Sequence, residues 1–418
     1  MADATYTVDF SAHYPRVQAA LAQLQAPQYM AWGKFMNWTT PGKKAVIPNG
    51  SIEPQAVKNS PIVVQRELSK EAGTKIEIPM FRRLINKPQL GDAQLSGKEE
   101  SIKINFAKVY IDEIRHAALV RQGKLSQQVL KEYGIPEWAR ASLQGHYAEW
   151  LNFCEIPSTF YNRFNYTVLN SGTYTNDTNV TALPHPHIYC AGAGSKVSYS
   201  GGYPGTAGYT TAVAAAIAAV GMSHTLSAGF LRALNADDQI RKIPYLTTKE
   251  GVPFRILATH PYALTGLRND TELKSLFNSA FIAQMVKDNP ILTGMQLFYE
   301  GWAIFDFGNA IWPVSSTGSV TTWGPTITDL TSFANYETAT LFASIVLGDN
   351  ALFHATGWDM QWNGETRDYK HVEGLGYSAG LGFSLGTFWN REEGTTGQYQ
   401  NTDGSAIIVS YAPKPPLA

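Results

Sequence analysis

Residues 73–84 read GTKIEIPMFRRL, residues 91–100 read GDAQLSGKEE, and residues 101–118 read SIKINFAKVYIDEIRHAA. Ile76, Ile78 and Met80 alternate in the first segment, and Ile102, Ile104 and Phe106 in the third. Period-two alternation predicts a pair of half-buried strands. A strand of about eight residues reaches roughly 27 Å at ~3.4 Å per residue. The charged, glycine-punctuated tip from Phe81 to Glu100 runs to about 20 residues, too long for an ordinary hairpin turn and of a length that is usually functional or disordered. Such an arm has little core of its own. It is more stable lying on something else, and a second copy of the same chain is the natural candidate. Asp112, Arg115 and His116 follow and read as a charged cluster at a strand-to-helix junction, leading toward the strongest helical region, Ser126 to Cys154.

Within that region Gly134 and Pro136 divide a short helix from a long one. Pro136 suits a first helical turn, with Glu137 near the positive end of the helix dipole. Ala139, Leu143, Tyr147, Trp150 and Cys154 then recur at spacings of three and four, an apolar stripe meant for burial. Upstream, prolines at 27, 41, 48, 54 and 61 interrupt the first 60 residues, which read as an arm with one helix over Tyr14–Gln25. Downstream, the sequence predicts a Thr-, Asn- and Gly-rich loop region over Asn165–Gly221 and a helix over Ser223–Ala236 capped by Ser223. A strand follows over Phe254–Thr259, then a helix over Asp270–Met285 capped by Asp270 or Thr271, and β structure over Gly294–Phe307. A helix is expected over Tyr336–Thr356 with Leu341, Ile345, Leu347 and Leu352 buried and Gly357 closing it. Glycine-punctuated β structure is expected from there to Tyr411. Helices and strands intermingle without βαβ alternation, so the expected fold class is α+β.

Composition narrows the function classes. The chain has 418 residues and a formal net charge of −1, and charged residues make up only 16%, against about a quarter in ordinary domains. A low-charge, aromatic-rich surface suits packing on other protein. It offers none of the dense positive charge that drives nucleic-acid binding through counterion release. Cys154 and Cys190 are the two cysteines, too few for a disulfide framework. Met1–Phe10 lacks the pattern of a signal peptide, and the longest apolar run, Thr211–Met222, is shorter than the ~20 residues of a membrane span.

Three constellations invite chemistry. Gly376-Tyr377-Ser378-Ala379-Gly380 matches the G-x-S-x-G nucleophile elbow, and Gly382 to Gly386 matches it again around Ser384. The elbow requires a strand before and a helix after the serine. Here glycine-rich β pattern continues, and no histidine follows His371, so a strand with small residues is the better reading. His185, His187 and Cys190 cluster in LPHPHIYC, but alternation places Cys190 opposite the two histidines, and no motif supplies a fourth zinc ligand. Asp112, Arg115 and His116 hold an acid, a base and an imidazole, for which a salt-bridge cluster is the plainer reading. No catalytic, cofactor or metal site is expected, and the function is not read as enzymatic.

Short pieces appear in a fixed order from residue 59 to 411. Asn59-Ser60-Pro61-Ile62 precedes Gly73-Thr74-Lys75-Ile76. Gly91-Asp92 leads to Leu95-x-Gly97-x-Glu99-Glu100, and Val109-x-Ile111-Asp112-x-x-Arg115-His116-Ala117 follows. Next come His260-Pro261, Asn289-Pro290-Ile291-Leu292-Thr293-Gly294 and Tyr299-x-Gly301, then Leu347-Gly348-Asp349-Asn350-Ala351 and Arg367-Asp368-Tyr369. In this order the chain resembles the major capsid protein family typified by the N-four coliphage group, a branch of the Hong Kong 97-type phage capsid fold.

The resemblance implies an N-terminal arm (1–65), a long β-hairpin or E-loop (66–115), and a spine helix in a peripheral domain (116–165). It implies a probable insertion or surface loop (166–222), a mainly axial domain with peripheral segments (223–360) and a C-terminal β segment (361–418). The implied function is self-assembly into hexamers and pentamers of an icosahedral phage head enclosing double-stranded DNA. The chain's partners would be itself, portal and scaffolding proteins, decoration proteins and packaged DNA bound without sequence specificity. It would be found in the virion after assembly in the host cytoplasm, with no cofactor and no membrane. Candidate assembly contacts are Arg82, Arg83, Lys87, Asp92, Lys98, Glu99, Glu100, Asp112, Arg115 and His116. The alternatives are a shell-forming cargo compartment protein of the same fold and a soluble serine hydrolase or metal enzyme.

Overall fold

The structure, a computed structural model, describes residues 36–38, 60–65, 75–81, most of 104–121, 139–151 apart from 149, 161–162, 183–184, 188–191 and 215–237. It further describes 243–248, 251–274, 294–308, 313–314, 340–367, 372–388 and 402–412, and a few positions of the 82–103 segment. Two large sheets and three helices of nine or more residues organise the described residues, with a short helical turn at 215–218.

The eight-stranded sheet runs β11-β12-β10-β14-β19-β8, with β13 paired to β14 and β9 to β10. Here β8 is Ile188–Cys190, β9 Leu246–Thr247, β10 Pro253–Thr259, β11 Met295–Tyr299, β12 Trp302–Asp306, β13 Pro313–Val314, β14 Leu341–Leu347 and β19 Ser405–Tyr411. Both faces are covered. Leu257, Ile304, Val346 and Ile408 point into a cluster with Leu231 and Leu234 of helix α2 (Ala228–Ala236) and Leu264 and Leu267 of helix α3 (Pro261–Asn269). Ile256, Phe305, Ile345 and Ile407 point the other way, into a larger core. The buried Ser344 hydroxyl is satisfied by Thr259 at 2.8 Å, so the polar residue inside β14 leaves no unpaired group there.

The five-stranded sheet runs β1-β2-β15-β16-β5, with β1 at Met36–Trp38, β2 at Ile62–Gln65, β5 at Asp112–Arg121, β15 at Leu352–Arg367 and β16 at Val372–Leu385. β1, β2 and β15 are parallel, whereas β15, β16 and β5 are antiparallel. Its inner face, carrying Leu375, Tyr377, Ala379, Leu381 and Phe383, joins the larger core beneath Leu143, Tyr147 and Leu151 of helix α1, residues 139–151. Strands β3 (Lys75–Phe81) and β4 (Ile104–Tyr110) form a separate antiparallel hairpin in register from Lys75↔Tyr110 to Phe81↔Ile104. Val109 at its base is fully buried. Small pairs complete the described strands: β6 (Tyr161–Asn162) with β7 (Leu183–Pro184), and β17 (Thr387–Phe388) with β18 (Thr402–Asp403).

Three sequence expectations need correction. The helix expected over Tyr336–Thr356 is two strands, β14 and the start of β15. Its leucines and isoleucine are buried as expected, but every residue of β14 is buried. A strand covered on both faces loses its alternation and imitates a buried helix. The segment from Asp112 is not a strand-to-helix junction: β5 continues for ten residues, paired along its length with β16. The cap of α2 is Ser227, whose Oγ accepts from Phe230 N at 3.3 Å, and not Ser223. Asp270 closes α3 and, as expected, also opens the turn that follows: its Oδ1 accepts from Glu272 N at 2.9 Å and its carbonyl from Lys274 N at 3.0 Å. The other carboxylate oxygen accepts from Ala228 N at 2.9 Å, at the start of α2. Residues 271–274 are turn, and the rest of the helix expected to Met285 lies outside the described residues. The same is true of the helix expected over Tyr14–Gln25, and of Pro136 and Cys154.

Candidate assembly surface

The β3–β4 hairpin pairs with neither large sheet. The described tip residues, Gln89, Gly91, Ser96, Gly97 and Glu99, are all exposed. Glu99 folds back so that its carboxylate accepts from Gly97 N at 2.7 Å, a local turn that leaves the tip its own shape without core support. Of the charges expected at the tip, Glu99 is therefore placed. Arg82, Arg83, Lys87, Asp92, Lys98 and Glu100 lie outside the described residues.

The cluster expected at Asp112, Arg115 and His116 is pulled apart by the strand that carries it. Successive side chains of a strand point to opposite faces. Arg115 shares the outer face with Glu113, 3.7 Å away, and pairs across the sheet with Ser378. His116 faces α1, where its ring stacks on His146 at 4.0 Å between centroids. Asp112 lies in the same strand, opposite Leu381. Arg115 and His116 therefore share no common site.

The inner contact is aromatic. His146 Nδ1 is 2.9 Å from the Tyr377 hydroxyl, and its ring is parallel to that of Trp150 at 6.2 Å. Tyr147 meets Tyr377 edge-on at 5.2 Å, and Trp362 does so at 6.5 Å. Burial, helped by the neighbouring His116, holds the His146 pKa down at about 4. The imidazole is therefore neutral at ordinary pH, which suits a ring stacked between two others. The expected stripe on α1 is borne out for Leu143 and Tyr147, which are buried, and for Trp150, which packs partly buried against the core.

The outer face of the five-stranded sheet is different. Alternate positions of β16 are Gly374, Gly376, Ser378, Gly380, Gly382 and Ser384, and the exposed residues beside them include Arg115, Ala117 and Leu119 of β5. Leu119 is 68% exposed and Trp358 37%. Ser378 and Ser384 sit in the body of a fourteen-residue strand with no helix behind either. The Ser378 hydroxyl accepts from Asn363 Nδ2 at 3.1 Å. Neither serine has the exposed, turn-mounted geometry of an esterase nucleophile.

Cys190 is buried in β8, and desolvation pushes its thiol up to about 12, which makes it inert. His185 and His187 lie outside the described residues, and among the described residues no three metal-donor side chains come together. No described helix is long and apolar enough to cross a membrane.

Two features escaped the sequence reading. Helix α3 was legible in His260-Pro261: proline suits the first helical position, and His260 Nδ1 accepts from Tyr262 N at 3.2 Å. Arg232 on α2 bonds both Glu272 and Glu300, 3.0 Å from the latter, and holds the β11–β12 turn to the helices. Residues 40 and 68 positions apart in sequence give no signal of that kind.

The arrangement is a pair of sheets sharing a core, with a long hairpin projecting from one of them, and it is found in phage shells. The capsid of Ralstonia phage GP4 superposes with a TM-score of 0.60 at 16% identity, covering 91% of this chain and 96% of that one. The cyanophage Pam1 capsid gives 0.56 at 16% identity, covering 90% and 96%. The capsid of Helicobacter pylori bacteriophage KHP30 gives 0.52 at 12% identity, covering 98% and 100%. No curated protein matches the chain. The family model described as phage capsid protein matches residues 4–414. The chain belongs to the phage capsid protein family: it is a major capsid protein of the Hong Kong 97-type fold, a structural component of the virion.

Proposed function

We propose that the chain forms the hexamers and pentamers of an icosahedral head enclosing double-stranded DNA. In this reading the five-stranded sheet with α1 is the peripheral domain, the eight-stranded sheet is the axial domain at the capsomer centre, and residues 1–65 are the arm. The observation that supports it most is the β3–β4 hairpin, anchored at Val109 and unpaired with either large sheet. A two-stranded hairpin by itself is marginal in water. Laid over the next subunit, it gains the missing contacts, and head-to-tail contacts of that kind close into rings.

The contact residues we assign are Arg82, Arg83, Lys87, Asp92, Lys98, Glu99 and Glu100 at the tip and Asp112, Arg115 and His116 on β5. Each exposed ion pair contributes only about 0–1 kcal/mol, so shell stability rests on the number of repeated contacts. The low charge of the chain fits DNA that is enclosed rather than gripped. Portal, scaffolding and decoration proteins complete the proposed assembly, which takes place in the host cytoplasm.

Deleting Lys87 to Gly97 tests the reading. The shortened chain is expected to remain soluble and folded by circular dichroism and to give no closed shells by electron microscopy. Normal shells from the deletion would remove the hairpin from the mechanism.

A further inference from the structure

Beside their shared core, the two sheets are also joined through backbone. Gly348 N–H donates to Gly404 O, Gly404 N–H to Gly386 O, and Gly386 N–H to Ala351 O, each at 2.8 Å. The covalent segment 348–351 closes these three bonds into a ring. On one side of it lies Leu347↔Ser405, the last pair of β14 and β19. On the other lies Leu352↔Leu385, the first pair of β15 and β16. The ring carries hydrogen bonding from one sheet to the other without a side chain. A Cβ on Gly386 would overlap the Asn350 carbonyl oxygen, and one on Gly404 would lie 2.6 Å from the Ala351 Cα. Backbone cannot retreat as a flexible side chain can.

A second chain segment is fastened to the same ring. Asn350 N–H donates to Ser60 O at 2.9 Å, and Leu352 N–H to Pro61 O at 3.1 Å. In return, Ser60 N–H donates to the Asp349 Oδ1 at 3.1 Å. Ser60 is 4% exposed and stands two residues before the first residue of β2. β2 is joined to the sheet by four parallel pairs with β15, and β1 is joined only through β2. β2 is thus held by its buried side chains, by its pairing with β15 and, at its start, by a carboxylate across 289 residues of sequence.

We propose that the glycine ring is a fixed joint and that Asp349 is the latch by which the N-terminal segment is held to it. With the latch closed, β2 lies in register on β15. With it open, β2 loses the fixed start of that register and frays from Ser60 onward, while the rest of both sheets stays intact. Asp349 is a positioning residue: it fixes where β2 begins on the rigid joint. This holds whether or not the chain forms hexamers and pentamers, because it concerns a single copy.

Hydrogen exchange on the full chain, read over peptides 60–65, 341–347 and 405–411, tests the latch. Asp349→Ala is expected to speed exchange over 60–65 by about tenfold or more, the factor that a hydrogen bond to a charged group carries. Exchange over 341–347 and 405–411 is expected to stay as in the parent chain. Asp349→Asn, which keeps an acceptor oxygen, is expected to fall between the two. Gly386→Ala is expected to speed 341–347 and 405–411 together. Unchanged exchange over 60–65 in Asp349→Ala, equal acceleration of all three peptides in that variant, or Asp349→Asn as fast as Asp349→Ala, overturns the proposal. If Gly386→Ala yields no soluble chain, the two Asp349 variants decide alone.

Discussion

Strands β14 and β5 are both long members of large sheets, yet their surroundings are opposite. All seven residues of Leu341–Leu347 are buried. In β5 Ile114 is buried, but Glu113, Arg115, Ala117 and Leu119 are exposed. One strand is clad on both faces by its own chain. The other has α1 on one face and a line of exposed residues on the opposite one. In a monomer that outer line costs little, because isolated apolar surface residues are ordinary. In a shell it is area left for neighbours. The difference separates the residues that make the subunit fold from those that decide what it does next, and substitutions in the two strands should part accordingly.

The largest effect is expected in β14. Ile345→Ala removes three buried carbons from the middle of the eight-stranded sheet, with an expected loss of about 2–5 kcal/mol. That is a large share of a typical domain's net stability of ~5–15 kcal/mol. Leu119→Ala in β5 is expected to change the unfolding midpoint by no more than a surface substitution does, about 0.5 kcal/mol, and to lower particle yield instead. Urea unfolding of the two variants beside a particle count measures both halves. Equal losses of stability would break the comparison.

Next comes the cover of the five-stranded sheet. Trp150→Ala strips a partly buried indole from α1, where it packs on the core and on the His146 ring. Full burial of such a ring would be worth about 3–5 kcal/mol; partial burial places the expected loss near the lower end. Ser142→Ala, at an exposed position of the same helix, is expected to be silent. A matching fall in soluble yield for both variants would mean that the helix presents a different face.

How much of this was legible depends on how each segment is covered. The stripe Leu143, Tyr147, Trp150 was readable because α1 has one wet side, and a one-sided element writes its period into the sequence; the β3–β4 hairpin was readable from the alternation of Ile76, Ile78 and Met80. β14 was misread for the opposite reason. The split of Arg115 from His116 required only that β5 be recognised as a strand; His116-Ala117-Ala118-Leu119-Val120 lacks polar alternation, so the strand looked like the start of a helix. Asp349 and Ser60 were quoted in two of the resembling pieces, but nothing local says that they touch. The ring of Gly348, Gly386 and Gly404 is a product of tertiary crossing, and single-chain periodicity does not encode it.

The acid response should single out the inner contact. His146 sits at about 4 in the folded chain, against about 6.5 when unfolded. The unfolded state therefore binds the proton more readily, and stability is full above pH 6.5 and falls as pH drops toward 4. His116 faces it from β5 and opposes its charging, and the Tyr377 hydroxyl faces it from β16. With the ring only half-buried, solvent screening leaves about 1–2 kcal/mol of the shift as pH-dependent stability. His146→Gln is expected to flatten the slope of stability between pH 6.5 and 4. A slope identical to the parent's would place the titration elsewhere.

The smallest effect belongs to the serines of the outer face. Ser378→Ala removes a hydroxyl that accepts one hydrogen bond from Asn363. Ser378 is buried, but Asn363 is exposed and can turn to water, so the expected loss is about 0.5–1 kcal/mol. Ser384 bonds only weakly, at 3.5 Å, to the neighbouring Leu385 carbonyl, and Ser384→Ala should cost less still. Neither change touches the inner core formed by Tyr377, Ala379 and Phe383, because strand alternation keeps the serines on the other side. The double variant is expected to fold, to assemble with parental yield and to match the parent in an ester-hydrolysis assay, both at background. A parental ester-hydrolysis rate above background that vanishes in the double variant would show that the outer face carries chemistry, and the contrast between a folding face and an assembly face would then need a third term.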